Sequence, residues 1–447
     1  MLRTPLVVFL LVLCGCPSES GTDAGIDSGQ NGPADAAYVN PLPESFTNAY
    51  GRAVVVHGGK VYVAGSGTRA DAGALSNDFF IARFATDLSR DVTFGVDGVG
   101  VADFDGGSVA IFAANNDLAY GLAFDGDKPL LVGNVRSAVN ETGDFGLARF
   151  TAGGQLDSTF GTGGLRFESY GSGRPSIARQ VVVQTDGKFV AAGGVFNGGG
   201  RALDLALARY ASNGTFDFSF SLADGGAGAV LDFGLGRAES ATGLFVQPGG
   251  AVVVGGGDNF PLARLSSAGR LDPTFGPNGT GQATFGNGTS LKIVERTDGS
   301  LWQVGVVELQ ADGGAGFGKL YLKQVLVSAN GMPAAGFGQN GERVDLIPEA
   351  GVVRGAATQA DGKLLLYSVY LSKGQLLRLN IDGSLDTGFG TGGILALDVQ
   401  IPLFEVAFGS GNHLTIDGNT AWVTDINVVK PTPNTTRQVL ALVKVPL

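Results

Sequence analysis

From about Gly51 to Leu447 the chain alternates short apolar, β-branched runs with polar, Gly-rich breaks, and no window carries an apolar stripe of helical period. Two patterns take turns along it. In the first, two apolar runs flank an Asp-Gly or Gly-Gly pair followed by Lys or a similar residue, as in Ala53-Val-Val-Val-His-Gly-Gly-Lys-Val-Tyr-Val-Ala-Gly65 and Val181-Val-Val-Gln-Thr-Asp-Gly-Lys-Phe-Val-Ala-Ala-Gly-Gly194. It recurs around Lys128, Gly250, Ser300, Lys363 and Asn419, so seven copies follow one another at a mean spacing of about 60 residues. In the second, an apolar segment ends in Ala-Arg-aromatic, passes a polar turn and reaches Asp-x-x-Phe-Gly. Examples are Asp144-Phe-Gly-Leu-Ala-Arg-Phe150 with Asp157-Ser-Thr-Phe-Gly161, and Leu205-Ala-Leu-Ala-Arg-Tyr210 with Asp217-Phe-Ser-Phe-Ser221. Asp186-Gly187 suits a two-residue hairpin, whose type I′ turn needs positive φ at both central positions. Asn213-Gly214 and Asp382-Gly383 mark a second hairpin in each unit. Both alternating sets of Leu205–Tyr210 are largely apolar, which predicts a strand covered on both faces and units that stack on their neighbours.

These residues resemble the bacterial delta-60 repeat family, whose consensus carries a Gln-x-Asp-Gly-Lys turn, an Ala-Arg-Tyr strand and Leu-Asp-x-x-Phe-Gly. The resemblance covers nearly everything from Gly51 to the end and implies that each repeat is a β-propeller blade. Some copies depart from the consensus: Ser221 replaces Gly after Phe220, and Ala334 replaces the Asp three residues before Phe337. The fourth strand of a unit is the stretch after Phe-Gly, such as Gly98–Phe104. The last copy stops after its third, Val439–Val445, without Asp-x-x-Phe-Gly. The expectation is therefore an all-β fold, a β-propeller of seven blades of four antiparallel strands, with Ala36–Pro43 pairing onto the last blade to close the ring. The alternative, an open β-solenoid, usually repeats with a much shorter period.

Composition fits this picture. The 447 residues include 74 Gly, the number a chain of repeated turns requires, and only 16% are charged, as expected where strands are covered on both faces. The net charge of −11 leaves no basic surface to neutralise many phosphates, which argues against a nucleic-acid partner.

The first residues read as an address. Arg3, an apolar run from Leu6 to Leu13 and small residues have the layout of a secretory signal peptide, and the run is too short to span a bilayer. Leu13-Cys14-Gly15-Cys16 resembles the bacterial lipobox, which implies cleavage between Gly15 and Cys16 and acylation of Cys16, the site of lipid attachment (palmitate or a similar chain). Lasting attachment takes more than one acyl chain, and lipoproteins of this kind usually carry two or three. Cys14 then leaves with the signal peptide, and the mature chain forms no internal disulfide. Pro17, rather than Asp, follows Cys16, which favours the outer membrane or cell surface within the bacterial cell envelope. The organisation expected is a signal peptide over 1–15, the lipidated Cys16 with a flexible Gly/Ser/Asp-rich tether over 16–36, and the propeller over 37–447.

Candidate chemistry is sparse. Two His, His57 and His413, are far apart and read as structural, and no His/Asp/Glu cluster has metal-ligand spacing. The Asp-Gly pairs recur where hairpins need them and lack a calcium-loop pattern. Asp91, Asp157, Asp217, Asp272 and Asp386 of Asp-x-x-Phe-Gly read as turn caps, with Phe as a core plug and Arg83, Arg149, Arg209 and Arg264 placed to pair with them. Neither a phosphate loop nor a Gly-x-Ser-x-Gly elbow occurs, and Trp302 and Trp422 fall in predicted strands as core residues. No catalytic residue, metal ligand or cofactor is expected. The connections that vary most (Ser66–Ser76, Asn134–Gly143, Gly255–Asp258, Val307–Gly318, Asp425–Thr436) share one face, where an envelope protein or glycan would bind. The expected function is a membrane-anchored, non-catalytic binding or scaffold module; the alternative is a lactonase-like propeller hydrolase with an axial metal.

Overall fold

A computed structural model describes residues 37–39, 42, 46–69, 77–104, 117–137, 140–170, 174–196, 203–222, 228–234, 238–309, 319–347, 351–401, 411–432 and 435–447. The expected signal peptide, Cys16 and the leader through residue 36 lie outside the described residues, as do parts of the variable connections, including 70–76, 310–318 and 433–434. Among the described residues every regular element is a β-strand, and no helix is long and apolar enough to cross a membrane.

The strands form seven four-stranded antiparallel units, which we call blades 1–7 in chain order. Five stand as separate sheets; blades 4 and 5 join because Gly257 and Asp258 pair with Ser290 and Thr289 across their boundary. A blade runs outward in chain order, as in blade 2 with Leu118–Asp125, Lys128–Ser137, Asn140–Arg149 and Leu165–Glu168. The first strands of blades 1–7 are Phe46–His57, Leu118–Asp125, Ser176–Val183, Glu239–Val246, Thr289–Glu295, Val352–Thr358 and Leu414–Asp417. Each touches the next and the seventh returns to the first, so these inner strands ring an axis. The chain forms a β-propeller.

Blade 7 departs from chain order. Leu414–Asp417, Thr420–Thr432 and Thr435–Pro446 are completed by Ala37–Val39, with Ala37 opposite Lys444, Tyr38 opposite Val443 and Val39 opposite Leu442. The closing strand anticipated over Ala36–Pro43 thus pairs through three of its residues. On the inner side the Val54 N–H donates to the Asn412 carbonyl at 3.0 Å, joining blade 1 to blade 7.

Apolar clusters fill the gaps between blades. Val190, Leu205 and Leu207 of blade 3 pack with Val252, Val254 and Leu265 of blade 4. Trp302 and Trp422 are buried in two such clusters, as the sequence suggested. The two repeat patterns meet in one structure at the same boundaries. In blade 2 the Asp157 carboxylate accepts the Thr159 N–H and hydroxyl through Oδ1, while its Oδ2 takes Arg149 Nε at 3.0 Å and Lys128 Nζ at 2.9 Å. The Arg149 guanidinium lies over the Phe160 ring, 4.9 Å from its centroid, and reaches the Ser212 carbonyl of blade 3. Blades 1, 3, 4 and 6 repeat the pair as Arg83–Asp91, Arg209–Asp217, Arg264–Asp272 and Arg378–Asp386, at 2.7–3.0 Å. Gly214, at φ +83°, turns against the Phe160 ring of the previous blade, where a Cβ would fall 2.9 Å from a ring carbon.

The departing copies substitute other groups. In blade 5, which lacks the Asp, Gln324 Nε2 donates to the Gly383 carbonyl of blade 6 at 2.9 Å. In blade 7, Lys444 Nζ donates to the Thr86 carbonyl of blade 1 at 2.8 Å.

Candidate functional site

The inner strands share an irregularity that organises the axis. Blades 1, 2, 3, 5 and 6 each carry a β-bulge in the pairing of first with second strand, leaving Arg52, Tyr120, Arg179, Leu291 and Arg354 as the extra residues. Blade 4 is bulged between Glu239 and Gly243. The bulge explains a repeated glycine: a Cβ on Gly193 would overlap the Ile177 carbonyl, and Gly65, Gly133 and Gly305 face the same obstruction from Tyr50, Leu118 and Thr289.

Side chains from these places converge across the ring. The Arg52 and Arg179 guanidiniums lie 5.0 and 5.5 Å from the Tyr120 ring centroid. Lys292, immediately after the blade 5 bulge and 4% exposed, donates across the axis to the Gly411 carbonyl at the start of blade 7. Arg354 Nη1 sits 2.7 Å from both carboxylate oxygens of Asp425, which also accepts the Tyr367 hydroxyl at 2.9 Å. His413 Nδ1 is 2.8 Å from the Thr424 carbonyl. Burial, with Arg354 and Lys292 nearby, pushes His413 down to about 3, so near neutrality its Nδ1–H is the donor to Thr424. Burial, then Arg179 and Arg354, lowers Lys292 to about 7.

Beside this cluster lies a cavity of about 490 Å³, lined by the C-terminal halves of inner strands from blades 2–6 and by Gly411, Asn412, Thr415 and Ile416 of blade 7. Gln180, Thr242, Lys292, Glu295, Thr358, Asn412 and Thr415 supply its polar groups. It lies toward the tight first-to-second-strand turns, at the opposite end of the axis from the variable connections.

A second cluster faces the variable end. Asp204 at the start of the third strand of blade 3, Asp232 just beyond its outer strand and Glu239 at the start of blade 4 place ligand atoms within 4.8 Å of one another. Glu239 and Asp204 are buried and Asp232 is exposed. Burial, reinforced by Asp232, Asp204 and Asp258, raises Glu239 to about 7. Among the described residues, this trio could hold a divalent cation; it lies between two blades rather than on the axis. Its members are 28 and 7 residues apart, so no local motif announces them.

The other sequence candidates have structural positions. Asp91, Asp157, Asp217, Asp272 and Asp386 cap their turns and bind the blade-boundary cations. His57 stacks on Phe124, with centroids 4.1 Å apart, and lies 2.9 Å from Asp127. His413, in contrast, belongs to the axial cluster. Gly15 and Cys16 lie outside the described residues.

A family described as "Domain of unknown function (DUF5122) beta-propeller" matches residues 59–94, 130–160, 184–220 and 359–389, which supports a β-propeller repeat family. No curated protein matches the chain by sequence. Among solved structures the chain is similar to virginiamycin B lyase from Staphylococcus aureus, at 12% identity and TM-score 0.47, covering 92% of this chain and 99% of the lyase. It is also similar to YCF48 from Cyanidioschyzon merolae, at 11% and 0.44 over 92% and 99% of the two chains. An α-L-arabinofuranosidase, Arb93A from Fusarium graminearum, matches at 8% and 0.43 over 91% and 96%.

Proposed function

We propose that this protein is a lipoprotein of the bacterial cell envelope, anchored through Cys16, whose propeller serves as a non-catalytic binding or scaffold module. The anchor reading rests on Leu13-Cys14-Gly15-Cys16. The observation that carries the non-catalytic reading is the use made of the repeated polar residues. Arg83, Arg149, Arg209, Arg264 and Arg378 and their Asp partners are engaged at blade boundaries. The variable-loop face is then the surface for an envelope protein or glycan.

The hydrolase alternative requires carboxylates converging on the axis to hold a metal. Among the described residues the axis brings together Arg52, Arg179, Lys292 and Arg354 with Asp425, whose carboxylate is already taken by Arg354 and Tyr367, a set that disfavours a divalent cation there. The Asp204–Asp232–Glu239 trio is the place where that alternative would have to be sought, and metal analysis of the purified protein tests it.

Labelling cells with radioactive palmitate tests the anchor. The wild-type chain is expected to carry label and to sediment with membranes. Cys16→Ser should lose the label and the membrane association while keeping the thermal midpoint of the propeller. Equal labelling of the two chains would refute the anchor.

A further inference from the structure

We propose that the axial cavity binds the anionic group, a carboxylate, sulfate or phosphate, of a small polar ligand. This deepens the binding-module reading and rests on it.

Three observations converge. The cavity, about 490 Å³, falls within the range of about 300–1,000 Å³ usual for small-molecule sites. Its wall includes Lys292, whose ammonium donates to the Gly411 carbonyl on the same wall, together with Glu295 and the uncharged polar residues Gln180, Thr242, Thr358, Asn412 and Thr415. Its surroundings are cationic in a chain whose net charge is −11. Arg179 Nε is buried without a hydrogen-bond partner among the described residues, and its guanidinium is close enough to Lys292 to oppose the lysine's charge. Arg354 opposes it from blade 6, although its own charge is balanced by Asp425. An anion entering the cavity would relieve this repulsion and accept charge-assisted hydrogen bonds in a site of low dielectric.

The groups around Lys292 also set the pH dependence. Burial lowers Arg179 from its usual value, and His413 is neutral above about 3. Glu295, on the same strand as Lys292, lines the cavity, and burial raises its carboxyl. Lys292, at about 7, is then the cation whose charge changes around neutrality. Anion binding should be strong below pH 7 and weaken above it.

The test is a calorimetric titration of the full chain in detergent with sulfate, whose charge is constant from pH 6 to 9, against chloride at equal ionic strength. Galacturonate and galactose supply a charged and a neutral arm. The expected result is saturable sulfate binding that weakens about tenfold or more from pH 6 to pH 9, with galacturonate preferred over galactose. Lys292→Met should weaken sulfate binding about tenfold at pH 6, and exposed Lys373→Met should leave it unchanged. Absent sulfate binding, a flat wild-type pH profile, or equal affinity for galacturonate and galactose would overturn the proposal. The wild-type profile decides the matter even if Lys292→Met does not fold. None of these failures touches the palmitate result, so the anchored-module reading stands or falls separately.

Discussion

Asp157→Ala is expected to destabilise the protein by about 3–5 kcal/mol, the cost of removing one partner from a buried ion pair. Asp157 and Arg149 are both buried, and the carboxylate serves four donors at once: Arg149, Lys128, and the Thr159 N–H and hydroxyl. Without it, Arg149 retains Asp125 at 3.0 Å, a partner more exposed than the one it lost. Burial would by itself raise the Asp157 carboxyl, but the hydrogen bonds from Thr159 and Lys128, then Arg149, hold it well below the usual carboxylate range. A depressed folded pKa means stability that is present above pH 4 and lost as the pH falls. Urea unfolding of the wild type and Asp157→Ala should therefore differ most near neutrality and converge in acid. The homologous change at Asp386, whose carboxylate is more accessible, should cost less, about 1 kcal/mol. Equal, small effects at both positions would mean that the boundary clamps contribute little.

Removing residues 1–40 should cost about 2–4 kcal/mol and loosen blade 7. The closing strand supplies backbone pairs to Leu442, Val443 and Lys444, each pair contributing about 1 kcal/mol net. Its loss also exposes a sheet edge, so the truncated chain should associate at concentrations where the full propeller does not. Urea unfolding combined with size-exclusion chromatography checks both effects. Unchanged stability and elution would mean that the ring closes without this strand.

The sequence made the repeated features legible. Two hairpins per unit, covered strands, and Arg and Asp in matching places all recur in kind, so self-comparison finds them. Even there it separated what the fold joins: Lys128 and Lys188 come from the first pattern, yet they bind the same Asp157 and Asp217 as the Arg of the second. The axial cluster was hidden for the opposite reason. At equivalent bulges the residues are Arg52, Tyr120, Arg179, Leu291 and Arg354; three are Arg, but the position falls just before the repeated Ala53–Gly65 and Val181–Gly194 stretches, so comparison of those patterns passes over it. Only closure of the ring brings these blades face to face. The Asp204–Asp232–Glu239 trio spans a blade boundary, and its proximity comes from stacking rather than spacing.

The amino-terminal strand closes the ring by completing blade 7, the blade that supplies Gly411, Asn412 and His413 to the axis. The most direct measurement is oxidative cross-linking of Tyr38→Cys with Val443→Cys, opposed across the closing pair, in a chain with Cys14 and Cys16 replaced by Ser. The fold described here predicts one intramolecular disulfide, formed at low protein concentration and raising the thermal midpoint, because it closes a loop of nearly the whole chain. Cysteines that stay reduced, or that link only between chains, would contradict it.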